Sequence, residues 1–113
     1  MKIIAKSQRE IFRHDPDCVI YEYSFGDDAI DGCIVKLNGR YPQKGFALNA
    51  VCKEMAYVIS GSGKINVENK EHGLSEGDAV LINPNEKFYW QGNLELFIPC
   101  APAWSVNQYK IIE

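Results

Sequence analysis

Short apolar or alternating runs recur along the chain, each closed by Gly, Asn, Asp or Pro, and no segment sustains a helical period over three turns. The pattern predicts strands near Ile3–Lys6, Val19–Phe25, Cys33–Leu37, Gly45–Cys52, Glu54–Ser60, Gly63–Val67, Glu71–Leu74, Asp78–Ile82, Phe88–Gln91 and Leu94–Pro99. Between them stand Gly26-Asp27-Asp28, Asn38-Gly39, Gly61-Ser62-Gly63, Glu68-Asn69-Lys70, Glu76-Gly77-Asp78 and Asn83-Pro84-Asn85, which supply the backbone angles of tight reversals. Strands this short and numerous must curl or pair face to face to cover their edges, which predicts an all-β barrel or jelly roll. After Pro99 and Pro102 the tail changes character, and Ala103–Tyr109 reads as a helical turn docked on the barrel.

With 113 residues the chain has room for one domain and one core, burying roughly two-thirds of the surface it exposes when unfolded. Its 46% hydrophobic and 24% charged residues exclude a disordered or fibrous protein. A net charge of −3 without a Lys/Arg cluster argues against nucleic acid as a partner. No apolar run is long enough to cross a bilayer, and Met1–Lys6 is too quickly charged for a signal peptide, so no membrane partner and a cytoplasmic location are expected. The cysteines, Cys18, Cys33, Cys52 and Cys100, form no CxxC pair and read as reduced core or near-core residues.

Glu54 followed by Gly61, then Gly77-Asp78 feeding an apolar run that ends at Pro84, resembles the two sequence motifs of the cupin superfamily. The similarity runs from about Gly39 to Tyr109 and implies a single cupin-type jelly-roll β-barrel, its conserved part about 39–100. Asn85 stands where the family usually has Gly, and Asn is the next best residue for a left-handed turn. In the usual pattern an HxH pair precedes the glutamate and a third histidine follows the proline. Here Ala47 and Asn49, or Leu48 and Ala50 in the shorter spacing, stand in place of the pair, and Phe88 in place of the third. Metal-dependent cupins hold their ion through those imidazoles, so neither a metal nor another cofactor is expected. The metal-free epimerases of the superfamily use a His-Asp base and a Tyr acid. The two histidines, His14 in a polar N-terminal run and His72 beside a turn, fit neither arrangement and are expected at the surface.

Strand alternation puts Glu54, Ala56 and Val58 on one face and Met55, Tyr57 and Ile59 on the other. If the resemblance holds, Glu54 faces the barrel interior, where burial raises its pKa unless Lys53, Lys64, Arg40 or a tyrosine pairs with it; the bland alternative turns it to solvent beside Lys53. Asn49 is either a second interior polar group or an exposed edge residue. Phe88 and Trp90 are expected inward with Tyr89 opposite, as core or as a stacking surface for a planar ligand. Tyr41, Tyr57 and Trp104 are weaker candidates for the rim of the same pocket. Adjacent strand positions point Lys53 away from the Cys52 thiol, and no Ser/His/Asp order, Cys–His pair or carboxylate pair at recognisable spacing is present.

These residues predict a binding or sensing module for a small molecule contacted by Asn49, Glu54, Phe88 and Trp90, and the resemblance adds a lean toward a carbohydrate or small carboxylate derivative. The alternatives are a metal-independent isomerase or epimerase using Glu54 as acid or base, and a structural or assembly protein with a packed barrel. Exposed sheet edges and faces, which the resemblance implies are covered by a second copy, lead to an expected homodimer with Ile3–Ala5 and Cys33–Leu37 at its interface.

Overall fold

The computed structural model describes residues 1–113, apart from the side chain of His14. Nine strands run in the order β1 (Glu10–Asp15), β2 (Cys18–Tyr23), β3 (Asp31–Tyr41), β4 (Phe46–Asn49), β5 (Lys53–Val67), β6 (Lys70–Ser75), β7 (Ala79–Ile82), β8 (Phe88–Ala101) and β9 (Tyr109–Ile112). All pairings are antiparallel, and one path runs β1-β2-β3-β8-β4-β9 while β5 pairs with β6, β7 and β8. This curled sheet is a jelly-roll barrel of the all-β class expected from the sequence.

The longest strands carry the architecture. The two predicted segments Glu54–Ser60 and Gly63–Val67 are one strand, β5, and Phe88–Gln91 and Leu94–Pro99 are likewise one strand, β8. Glycine made each look interrupted, but its role here is close approach. Gly39, Gly92 and Gly63 lie in register across β3, β8 and β5. A Cβ on Gly92 would lie 2.5 Å from the Gly63 Cα, and one on Gly63 2.4 Å from the Gln91 carbonyl oxygen. The backbones meet where no side chain fits, and the strands continue on both sides of the row.

The ends of the chain depart from expectation. Ile3–Ala5 is not a strand; the chain makes a 3-10 turn at Lys6–Gln8, and the first strand is Glu10–Asp15, which the scattered charges of this segment concealed. At the other end a short 3-10 turn, Val106–Gln108, leads into β9, which pairs with β4. The tail therefore docks as a strand, with the expected helical turn reduced to three residues. Asn85 has φ 66°, the left-handed conformation expected of it.

Alternation along β5 and β8 fills the interior. Val58, Ile82, Leu94 and Leu96 are fully buried, and Ile65, Phe88, Trp90, Ile98 and Cys100 extend the same core. Glu54 pairs in register with Ile82 on one side and Cys100 on the other, so a carboxyl enters the barrel from its central strand.

Candidate functional site

A cavity of about 260 Å³ occupies the barrel interior, lined by Glu54, Trp90, Tyr41, Trp104 and Asp31 among others. The register explains the grouping: Asp31 on β3 and Glu54 on β5 both pair with Cys100 on β8, from opposite sides. Glu22 pairs with Cys33, two residues along β3 from Asp31, and faces the same space. Three carboxyls thus share a cavity, and no Lys, Arg or His lines it among the described residues.

Glu54 is 9% exposed and Asn49 2% exposed. The Asn49 amide Nδ2 donates to Glu54 Oε1 at 2.5 Å, and the Trp104 indole Nε1 donates to Asn49 Oδ1 at 3.0 Å. The Trp104 backbone N–H in turn donates to Asp31 Oδ1 at 3.2 Å. Loop and tail are drawn onto the cavity by this chain of bonds. Gln108 reinforces it, its Oε1 accepting from the backbone N–H groups of Val51 and Cys52 at 2.9 and 2.8 Å.

Burial raises the Glu54 carboxyl from its ordinary 4.5 to about 7; the Asn49 hydrogen bond opposes the shift and the charge of Asp31 adds to it. Burial also raises Asp31, against the Trp104 backbone bond, and raises Glu22, with Asp31 and Glu10 adding repulsion. The phenols of Tyr41 and Tyr109 are hydrogen-bonded to each other, and burial raises both.

The four residues expected to contact a ligand, Asn49, Glu54, Phe88 and Trp90, are all buried. Glu54, Phe88 and Trp90 line the cavity, whereas Asn49 stands behind Glu54 and braces it. The partner of Glu54 is therefore an amide and none of the expected cations. Lys64 pairs with Glu71 at 2.9 Å, and the Arg40 guanidinium bonds the carbonyls of Pro42 and Gly45 at 2.6 and 2.9 Å while stacking over Tyr89. Lys53 is exposed. Tyr41 and Trp104 line the cavity as expected of rim residues, but Tyr57 lies 43% exposed on the outer face and is no part of it. His72 is exposed, with Nδ1 hydrogen-bonded to the Gly73 carbonyl, and the side chain of His14 lies outside the described residues.

Several residues escaped the sequence reading. Cys100 shares a face with Phe88 and Trp90 once β8 is one strand, since all three occupy even positions; splitting the strand at Gly92 hid this. Cys52 and Glu54 share a face by the same rule. All four cysteines are free thiols. Hydrogen bonding from Cys100, and then from Gln108, holds the Cys52 thiol below its ordinary range, so Lys53 is not the cause; the same Cys52 contact, with burial, pushes Cys100 up.

The barrel, its inward glutamate and the two motif turns define a class of protein. Residues 43–96 match the Cupin domain family. Pac13, described as a unique nucleoside dehydratase, superposes with TM-score 0.90 at 17% identity over 100% of this chain and 92% of that one. A variant of Streptomyces PAC13 solved with uridine gives TM-score 0.87 at 18% identity over 96% of this chain and 88% of that one. An RmlC-like cupin from Shewanella frigidimarina gives 0.72 at 17% identity, covering 91% and 92%. No curated protein sequence matches the chain. The family match and the barrel together make this chain a member of the cupin superfamily.

The usual three-imidazole metal centre of that superfamily does not fit this interior. Ala47, Asn49 and Phe88 occupy the motif positions and are buried, and Ala47 and Phe88 pair directly across β4 and β8. None of the three supplies an imidazole nitrogen.

Proposed function

We propose that this cupin acts on a small, uncharged, ring-bearing molecule with hydroxyl groups, of the size of a monosaccharide or a single nucleoside. The observation that carries the reading is the cavity itself: aromatic walls around a braced carboxyl, with no basic residue facing it among the described residues. Aromatic faces favour a flat or apolar ring, and buried carboxyls and phenols offer hydrogen-bond partners for hydroxyls. A carboxylate ligand would meet Glu22, Asp31 and Glu54 without a cation to receive it, so the carbohydrate half of the original expectation is retained and the anionic half is not. The size of the space also speaks against a purely structural barrel, whose interior would be filled by side chains. The nucleoside dehydratase and the uridine-containing structure among its fold neighbours make nucleosides a natural first panel.

The test is ligand-observed NMR with uridine, other neutral nucleosides, neutral sugars and the matching sugar acids. Binding by a neutral member, absent for the acids and lost in Trp90→Ala and in Glu54→Gln, is the expected result. Silence from every neutral compound, or equal binding of the acids, would overturn it. Product analysis of the same mixtures for loss of water or isomerisation decides whether binding extends to catalysis.

A further inference from the structure

The second thing the interior holds is a donor cluster. The ligand atoms of Cys52, Glu54 and Cys100, all buried, lie within 4.8 Å of one another. Their positions follow from strand geometry: Cys52 and Glu54 are two residues apart and share a face, and Cys100 is the register partner of Glu54 on β8. We propose that Cys52, Glu54 and Cys100 form a three-donor site for a thiophilic divalent ion of the zinc class, with its fourth position open to the barrel cavity.

Two thiolates and one carboxylate are a donor set that zinc accepts, at about 2.3 Å for sulfur and about 2.0–2.2 Å for oxygen, and three protein donors leave one tetrahedral position free. With its donors no more than 4.8 Å apart, the cluster needs at most about an ångström of contraction to meet one ion at those bond lengths. Of the three, Glu54 and Cys100 also line the cavity, so the open position faces the space where a ligand would sit.

Two further observations point the same way. The donors are already held by outer partners: Asn49 bonds Glu54 Oε1 and is itself held by Trp104, while Gln108 holds the Cys52 backbone N–H. Such partners orient ligands in built metal sites. The cavity also gathers three carboxyls with no facing cation among the described residues, and a dication would supply the missing positive charge. On binding, the two thiols release their protons to solvent and the sulfurs coordinate as thiolates; no electron is transferred.

This site shares Glu54 and Cys100 with the proposed ligand cavity; because a bound dication would admit the anions that the bare carboxyls turn away, the ligand panel is read on metal-free protein, and the metal test needs no organic ligand. Cobalt(II) is titrated into the full chain after chelation and removal of the chelator. The expected result is one cobalt per chain, with a thiolate-to-cobalt charge-transfer band and the intense visible bands of tetrahedral cobalt, both abolished by added zinc. Cys52→Ser and Cys100→Ser should each weaken cobalt binding by more than about tenfold, a loss at least as large as that from removing an outer-shell partner. Cys33→Ser, which alters a cavity thiol outside the cluster, should leave the spectrum intact. In the unaltered chain, zinc should slow the alkylation of Cys52, the thiol held below its ordinary range, a readout independent of whether any variant folds. No charge-transfer band, a band that survives the double Cys52→Ser/Cys100→Ser change, equal alkylation with and without zinc, or a Cys52–Cys100 disulfide forming in place of metal binding would each overturn the assignment.

Discussion

The two faces of β5 are opposites of what a one-sided sheet leads one to expect. Its inner face carries Glu54 beside Ala56 and Val58, whereas its outer face presents Met55, Tyr57 and Ile59 at 48%, 43% and 36% exposure. The outer surface continues onto neighbouring strands through Leu81, which pairs with Met55, and Phe97, which pairs with Tyr57. A carboxyl lies inside and a contiguous apolar surface outside. The proposed ligand site would account for the polar interior, and a contact surface would account for the apolar exterior.

The largest test of the contrast compares neighbours on β8. Leu96 is 1% exposed and Phe97 42% exposed, though one peptide bond separates them. Leu96→Ala is expected to cost about 2–5 kcal/mol in urea denaturation, the range for a fully buried Leu. Phe97→Ser, measured in dilute protein, should cost less than about 1 kcal/mol. Equal losses would show that the outer face is part of the folding core and break the comparison.

An intermediate effect is expected at Glu54, and its sign depends on pH. Because its folded pKa is about 7 against an ordinary 4.5, the folded chain keeps a proton there that the unfolded chain has released. Stability from this group is therefore greatest below about 4.5, falls as pH rises through about 7, and is then level. Glu54→Gln keeps an acceptor for Asn49 and removes the titration. In metal-free protein it should raise stability by about 1–3 kcal/mol at pH 8 and change it little at pH 4.5, by the linkage between pKa and folding. A variant less stable than its parent at pH 8 would mean that the carboxylate is structurally required.

The smallest effect on folding belongs to the outer face, where the consequence is assembly. We propose that a second copy of the chain covers Met55, Tyr57, Ile59, Leu81 and Phe97. The five make one apolar surface without a charged member, which suits a self-complementary two-fold contact better than a charged partner. The segments first expected at the interface serve less well: Ile3–Ala5 forms no strand, and Cys33–Leu37 lies within β3, paired on both sides. Tyr57→Lys with Phe97→Lys should shift the light-scattering mass from two chains to one. Folding stability in dilute protein should move by less than about 0.5 kcal/mol, as for exposed substitutions. A single-chain mass for the unaltered protein would sink this proposal.

Much of the barrel was legible because Gly, Asn and Pro at its turns leave a local signature and the motif spacing from Glu54 to Pro84 survives the loss of the histidines. Period-two alternation put Glu54 on one face with Ala56 and Val58, and Phe88 on one face with Trp90, and the family resemblance turned Glu54 inward. What escaped were relations between distant segments. Nothing local to Cys100 announces that it opposes Glu54, and nothing in Gln108 or Trp104 reveals that the tail folds back to bond Cys52 and Asn49. The β1 segment was missed because its exposed Glu10 and Arg13 break the apolar pattern, and the outer face was missed because alternation assigns faces without saying which one meets solvent.

The glycine row across β3, β8 and β5 bears on how relatives of this protein should be sought. It sets how closely β5 and β8 approach, and the meeting of Glu54 with Cys100 is a consequence of how those same two strands pair. A profile built on the imidazole positions would pass over chains of this kind. One that requires glycines equivalent to Gly63 and Gly92, together with acid and thiol at the spacings of Glu54 and Cys100, would instead collect barrels that share this frame and this acid–thiol pairing.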